Sequence, residues 1–168
     1  MRTGLARPFA VGPGEGRDRP LARLGTVHKV SSEVTRGLVA IVEHTLPPKH
    51  LAAPLHRHAH EDELSIVLKG SMGALLGRDI VVAPAGSYVL KPRHQWHTFW
   101  NAGDTNLRFI ELLLPGGVER YFEQLSPLLK AAGGPHAVAV RSLADEYGIE
   151  FDFDSVPELC TKFRLHFG

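Results

Sequence analysis

The stretch Pro54–Gly70, PLHRHAHEDELSIVLKG, decides how the rest of the chain is read. On an extended strand, side chains two residues apart share a face, so His56 and His58 aim two imidazoles at one point in space. Glu63 follows after a polar step, just before the apolar run Leu64–Leu68, and shares a face with Ser65 and Val67. Gly70 then ends the strand where a turn is needed. A second stretch, Gly86–Gly103, GSYVLKPRHQWHTFWNAG, predicts a strand with Gln95, His97 and Phe99 on one face and Trp96, Thr98 and Trp100 on the other. If the two strands are neighbours, His56, His58, Glu63 and His97 converge. Three imidazoles and one carboxylate suit a borderline divalent transition metal. The competing reading is a metal-free site whose histidines are satisfied by hydrogen bonds.

Around these stretches, Thr26 to Leu114 is a series of short apolar runs broken by Gly, Pro, Asn and Asp: Gly37–Leu46, Leu64–Leu68, Ile80–Ala83, Ser87–Leu90, Gln95–Trp100 and Leu107–Leu114. Most are β-branched or aromatic and too short for a globular helix, which predicts an antiparallel sandwich or barrel. Residues 1–24 read as an N-terminal arm or edge segment, residues 25–117 as the β domain, and residues 118–168 as a helical extension and tail. In that extension Val118, Tyr121, Phe122 and Leu125 recur at helical spacing, and Pro127 is expected to end or kink the helix. A second short helix is expected from Ser142, with Asp145 completing a cap and Leu143, Tyr147 and Ile149 on its apolar face. The tail from Phe151 to Gly168 mixes acids and aromatics in no assignable pattern.

The chain has 168 residues with 10 His, 19 Lys+Arg, 18 Asp+Glu, 17 Gly, 12 Pro and one Cys. That length suggests one domain with a sizeable core. A net charge of +1 without a basic run argues against a nucleic-acid partner. No apolar stretch has the length of a membrane span, and the N-terminus lacks the apolar core of a secretory signal. One cysteine forms no intrachain disulfide, so a cytoplasmic location is the expectation. Six of the ten histidines fall between His50 and His97, which is the compositional anomaly.

Written as patterns, the two stretches are H-x-H-x(4)-E-x(6)-G (His56, His58, Glu63, Gly70) and G-x(5)-P-x-H-x(2)-H-x(3)-N (Gly86, Pro92, His94, His97, Asn101). They resemble the paired signature motifs of the cupin superfamily. The flanking residues resemble its single-domain, quercetin-dioxygenase-like branch: EDE before the strand, then WNAGD, LLLPGG and a helix. The resemblance spans roughly Pro8 to Leu125. It implies an all-β jelly-roll barrel with one or two short C-terminal helices. It also implies one divalent metal (Fe, Mn, Ni, Co, Cu or Zn) held by His56, His58, Glu63 and His97, and a homodimer. Three positions depart from the pattern. His50 and His94 stand where the family usually has glycine, and Ser65 where it commonly has an inward aromatic residue.

The function expected from this resemblance is a metal-dependent, dioxygenase-like enzyme. Its substrate would be small and anionic or enolisable, of flavonol, catechol or diketone type. The alternatives are a non-catalytic metal or small-molecule binding protein and a cupin isomerase or lyase. Glu63 doubles as the candidate catalytic residue. Ser65, Phe99, Glu111 and Arg93 are the candidate pocket residues; Glu111 becomes a base candidate if its strand face is inward. Asn101 reads as the brace of a turn. His50, His60 and His94 read as turn, rim or second-layer residues, while His28, His44, His136 and His166 belong to no constellation.

Overall fold

A computed structural model describes residues 9–130 and 137–168; His136 lies outside them. In chain order the elements are β1 Arg17–Asp18, β2 Gly25–Val30, α1 Ser32–Thr35, β3 Ala40–Leu46, β4 Leu55–His58, β5 Asp62–Lys69, β6 Ser71–Leu76, β7 Asp79–Pro84, β8 Tyr88–Lys91, β9 His97–Asn101, β10 Leu107–Leu114, α2 Glu119–Leu129, α3 Ala137–Glu146, β11 Ile149–Asp152 and α4 Ser155–Phe163. The strands build two antiparallel sheets, ordered β1-β2-β3-β10-β5-β8 and β11-β4-β9-β6-β7. The strands thus form two separate antiparallel sheets, and the expected jelly-roll barrel is not closed among the described residues. Part of the N-terminal arm is an edge strand, with Arg17 opposite His28.

One core lies between the sheets, where Val67, Leu107 and Phe109 meet Met72, Ala74 and Phe99. A second core lies between β3 and β10 and the C-terminal extension, built from Val42, Leu113, Tyr121, Leu125, Val140 and Leu143. Gly70 and Gly73 are among the positions where the fold requires glycine. Gly70 turns between β5 and β6 at φ +83°, and a Cβ there would sit 3.1 Å from the Asn106 carbonyl. At Gly73 a Cβ would lie 2.2 Å from the Trp100 ring, so its absence lets the indole lie against β6. Asn101 braces the turn after β9: its amide donates to the carbonyls of Leu46 at 2.9 Å and Thr105 at 2.8 Å. Its side-chain oxygen accepts from the Gly103 N–H at 2.9 Å.

The extension departs from expectation in four ways. Three helices of the described residues follow residue 117, rather than one or two. Pro127 neither ends nor replaces the last turn of α2, which closes by a Lys130 N–H to Pro127 carbonyl bond at 3.2 Å, the tighter three-residue form. The second helix starts by Ala137 rather than Ser142. Its buried face is Val140, Leu143 and Ala144, a helical spacing whose packing overrides the strand-like Ala-Val-Ala-Val run. The unassigned tail folds as β11 and α4; Phe163 of α4 stacks on Trp100 at 4.2 Å between ring centroids. Gln95 also lies outside β9, in the turn before it.

Candidate metal centre

The two sheets bring the four expected ligands together. β4 carries His56 and His58 on its buried face, and His56 pairs directly with His97 of β9. Glu63 enters from β5 of the opposite sheet. One nitrogen or oxygen from each of these four buried residues lies within 4.8 Å of the others. The Nδ1 of His56 donates to the Pro54 carbonyl at 2.9 Å, and that of His97 to the Gln95 carbonyl at 3.0 Å. Those bonds orient both rings with Nε2 facing inward, that of His97 lying 3.1 Å from the Glu63 carboxylate, which is the orientation a ligand histidine requires. His58 sets its Nδ1 3.4 Å from the Glu61 carboxylate and its Nε2 3.4 Å from Glu63. Neither His58 Nδ1 nor Glu61 Oε2 has a hydrogen-bond partner, although both are buried. The cluster has the donor types, convergence and outer hydrogen bonds to hold a divalent transition metal.

A polar chain crosses the inner face of the other sheet and meets this cluster at Glu63. The Thr26 hydroxyl donates to the Leu24 carbonyl at 3.3 Å and accepts from His44 Nδ1 at 2.9 Å. His44 Nε2 lies 3.8 Å from Glu111, which accepts from the Ser65 hydroxyl at 2.6 Å. Lys91 is 1% exposed, and its ammonium bonds both Glu111 and, at 3.1 Å, Glu63. The cross-strand register explains the chain: Glu63 faces Lys91, Ser65 faces Glu111, and Thr26 faces His44.

Burial opposes charge on Glu63, yet Lys91, His58 and His97 together hold its carboxyl well below the usual range. Burial also works against the Lys91 ammonium, and the two carboxylates outweigh it, so Lys91 is raised and charged. Glu111 is raised, first by burial, with Glu63 adding to it and Lys91 opposing. Burial, with Lys91 nearby, pushes His44 down to about 3, so it is a neutral imidazole. Burial and the neighbouring His97 and His58 hold His56 well below its ordinary value. For His58, burial is outweighed by Glu63 and Glu61, and the ring is raised.

A cavity of ≈ 170 Å³ opens on this site and is lined at its polar end by His44, His56, His58, Glu63 and Glu111. Among the expected pocket residues, Phe99 and Glu111 line it. Ser65 is fully buried and bonded to Glu111, and Arg93, expected at the pocket, does not line this cavity: it is exposed and forks onto Asp62 at 2.9 and 3.0 Å. His94 takes a left-handed backbone, φ 64°, at a position where the resemblance leads one to expect glycine. Its N–H donates to the His58 carbonyl at 2.7 Å, tying that turn to a candidate ligand. His50 lies beside His166 with the rings tilted and their centres 5.5 Å apart, and His60 is exposed over Gly148.

His44 belongs to the site, against expectation, and Lys91 and Glu61 were not anticipated. A signal existed for two of them. His44 alternates in step with Ala40, Val42 and Leu46, all buried, and Lys91 alternates in step with buried Val89 while Tyr88 and Leu90 are exposed.

Two antiparallel sheets around a buried three-histidine, one-glutamate cluster define the class: a β fold whose cluster could hold a metal ion. Residues 42–113 match the family model described as Cupin domain. That match spans less than half of the chain, and the structures below share the fold. No curated protein matches its sequence. Among solved structures, KdgF from Halomonas sp. superposes with a TM-score of 0.58 at 13% identity, over 67% of this chain and 99% of that one. The polyketide cyclase RemF from Streptomyces resistomycificus gives 0.55 at 20% identity, over 64% and 80%. A predicted oxalate decarboxylase from Thermotoga maritima gives 0.52 at 24% identity, over 55% and 80%. These likenesses concern the fold. No helix among the described residues is long and apolar enough to cross a membrane.

Proposed function

We propose that this chain is a metal-dependent, dioxygenase-like enzyme acting on a small anionic or enolisable substrate of flavonol, catechol or diketone type. The observation that carries the reading is a second buried carboxylate, Glu111, lining the cavity beside the His56, His58, Glu63 and His97 cluster. A divalent ion held by those four residues would supply Lewis acidity and a net charge near +1, favouring the anionic form of an oxygen-donor substrate. Glu63 is held in place by Lys91 and serves as ligand rather than base. Glu111 takes the substrate proton, because its buried carboxyl is a stronger base than an exposed one. Ser65 and Lys91 hold the Glu111 oxygen that faces them. The apolar remainder of the cavity keeps bulk water from the reacting end.

A second reading, isomerase or lyase chemistry, draws support from His44. Its Nε2 lines the cavity 3.8 Å from Glu111 and would orient a substrate beside that carboxylate, which would both remove the proton and return it. Oxygen uptake with a panel of flavonols, catechols and β-diketones separates the readings. Consumption above a no-protein control, with Glu111→Gln lowering kcat by about 100-fold or more at unchanged metal content, supports the oxidative one. Substrate proton exchange in D2O without oxygen uptake moves the assignment to isomerase or lyase. Neither signal leaves a binding protein.

A further inference from the structure

We propose that the cavity selects a ring-bearing, largely apolar molecule with one oxygen-donor head, and that the C-terminal extension makes the selection. The head-group half of this proposal rests on the metal reading above; the apolar half does not. The polar lining is gathered at one end, in His44, His56, His58, Glu63 and Glu111. The opposite walls are Leu125 and Leu129 of α2, Val140 of α3, Ile149 and Phe151 of β11, and Phe153. These wall residues lie beyond residue 117, outside the matched segment 42–113, while Leu51, Pro54 and Phe99 within it and Leu21 and Leu24 before it complete the apolar lining. The matched segment therefore supplies the chemistry, and the extension supplies most of the large apolar wall.

Desolvation decides the ligand class. A polyol, a sugar phosphate or a short dicarboxylate would press several hydroxyls or charges against walls whose side chains offer the single hydroxyl of Tyr121, leaving most of those groups unpaired. An apolar ring instead gains from burial. The walls present aromatic faces for it: Phe151 lies 5.3 Å from His56 and 5.4 Å from Phe153, ring centre to ring centre. Arg23, the remaining charged lining residue, is exposed and stands at the rim.

A separate observation points to a ligand in this space. Tyr121 lines the cavity at 2% exposure, and its hydroxyl has no hydrogen-bond partner. A buried hydroxyl without a partner is costly, and a single polar atom on the ligand body would satisfy it. The ligand thus carries a head at the metal end, an apolar ring system between α2 and β11, and one polar substituent for Tyr121.

Two hydroxamic acids with the same chelating head test this. Zinc-loaded protein is titrated calorimetrically with acetohydroxamate and with 2-naphthohydroxamate. The naphthyl compound is expected to bind about 100-fold more tightly. Leu129→Trp, which fills the apolar end, is expected to cut that ratio about 10-fold or more while leaving zinc and acetohydroxamate affinities unchanged. Phe153→Ala, on a half-buried wall residue, should reduce the ratio in the same direction. Equal affinities for the two compounds would overturn the proposal while the metal reading stands. Metal-free protein is titrated in parallel with the neutral fluorophore N-phenyl-1-naphthylamine. Saturable one-to-one binding, weakened by Leu129→Trp, upholds the apolar half even if no metal binds. Absence of that binding overturns it.

Discussion

The two ends of the cavity are built by opposite rules. At the inner end, charged and polar groups sit almost fully buried, and each is held by another: Glu63 by Lys91 and two histidines, Glu111 by Lys91 and Ser65, and His44 by Thr26. At the outer end, α2, α3 and β11 present apolar side chains and one unpartnered Tyr121 hydroxyl. The inner end hangs on strand register, where a shift of one residue would turn every ligand outward. The outer end hangs on packing of an amphipathic extension, which tolerates apolar exchange. Chemistry is thus fixed by the sheets, while selection is free to vary with the extension.

The largest effect is expected at the cation shared by the two carboxylates. Lys91→Met leaves Glu63 and Glu111 buried without their counter-charge, and is expected to cost about 3–5 kcal/mol in denaturant unfolding. Adding Glu111→Gln should recover part of that loss. Strictly additive losses would break the account of the polar chain. At the apolar end, Leu143→Ala should cost about 2–4 kcal/mol by opening the second core, yet leave metal affinity unchanged. A joint loss of both would show that the ends are not separable.

Acid should separate the ends as well. His44 and His56 have folded values below the unfolded value near 6.5, so the unfolded chain binds more protons as pH falls beneath it. Their contribution is complete above about pH 6.5, and for His44 it is lost down to about 3. His58 is shifted the other way and favours folding in the lower part of this range. In metal-free protein, stability should fall by at most about 1.4 kcal/mol per pH unit for each depressed histidine. His44→Asn should flatten the slope between pH 6.5 and 5, and an unchanged slope would contradict a neutral, buried His44.

Smaller effects are expected elsewhere. Tyr121→Phe removes a buried hydroxyl with no partner, so Tm without ligand should stay level or rise slightly. A clear drop would mean that the hydroxyl already has a partner. His94→Gly should stabilise by up to about 1 kcal/mol, because an exposed side chain holds φ 64° where glycine bears no steric cost.

The inner end was largely legible in the sequence, since ligand spacing on strands is a local property. His56, His58, Glu63 and His97 follow from period-two alternation, and Glu111 from the same rule on β10. Lys91 escaped because the usual polarity signal is reversed on β8, where Tyr88 and Leu90 face out and the lysine faces in. His44 and Glu61 escaped because their partners lie on other strands or across a turn. The outer end was less legible. Its helices are held by contacts to β3 and β10 far away in sequence, and α3 starts in a strand-like run. Pro127 misled because a proline near a helix end can be absorbed by tightening the last turn.

The central claim is that His56, His58, Glu63 and His97 hold one divalent transition metal. Metal analysis of the purified protein, paired with His97→Ala and with melting curves of stripped protein after adding Fe, Mn, Ni or Zn, tests it most directly. The expected result is about one ion per chain, a rise in Tm on reloading, and loss of both in the variant. No bound ion and no change in Tm with any of these metals would contradict the account.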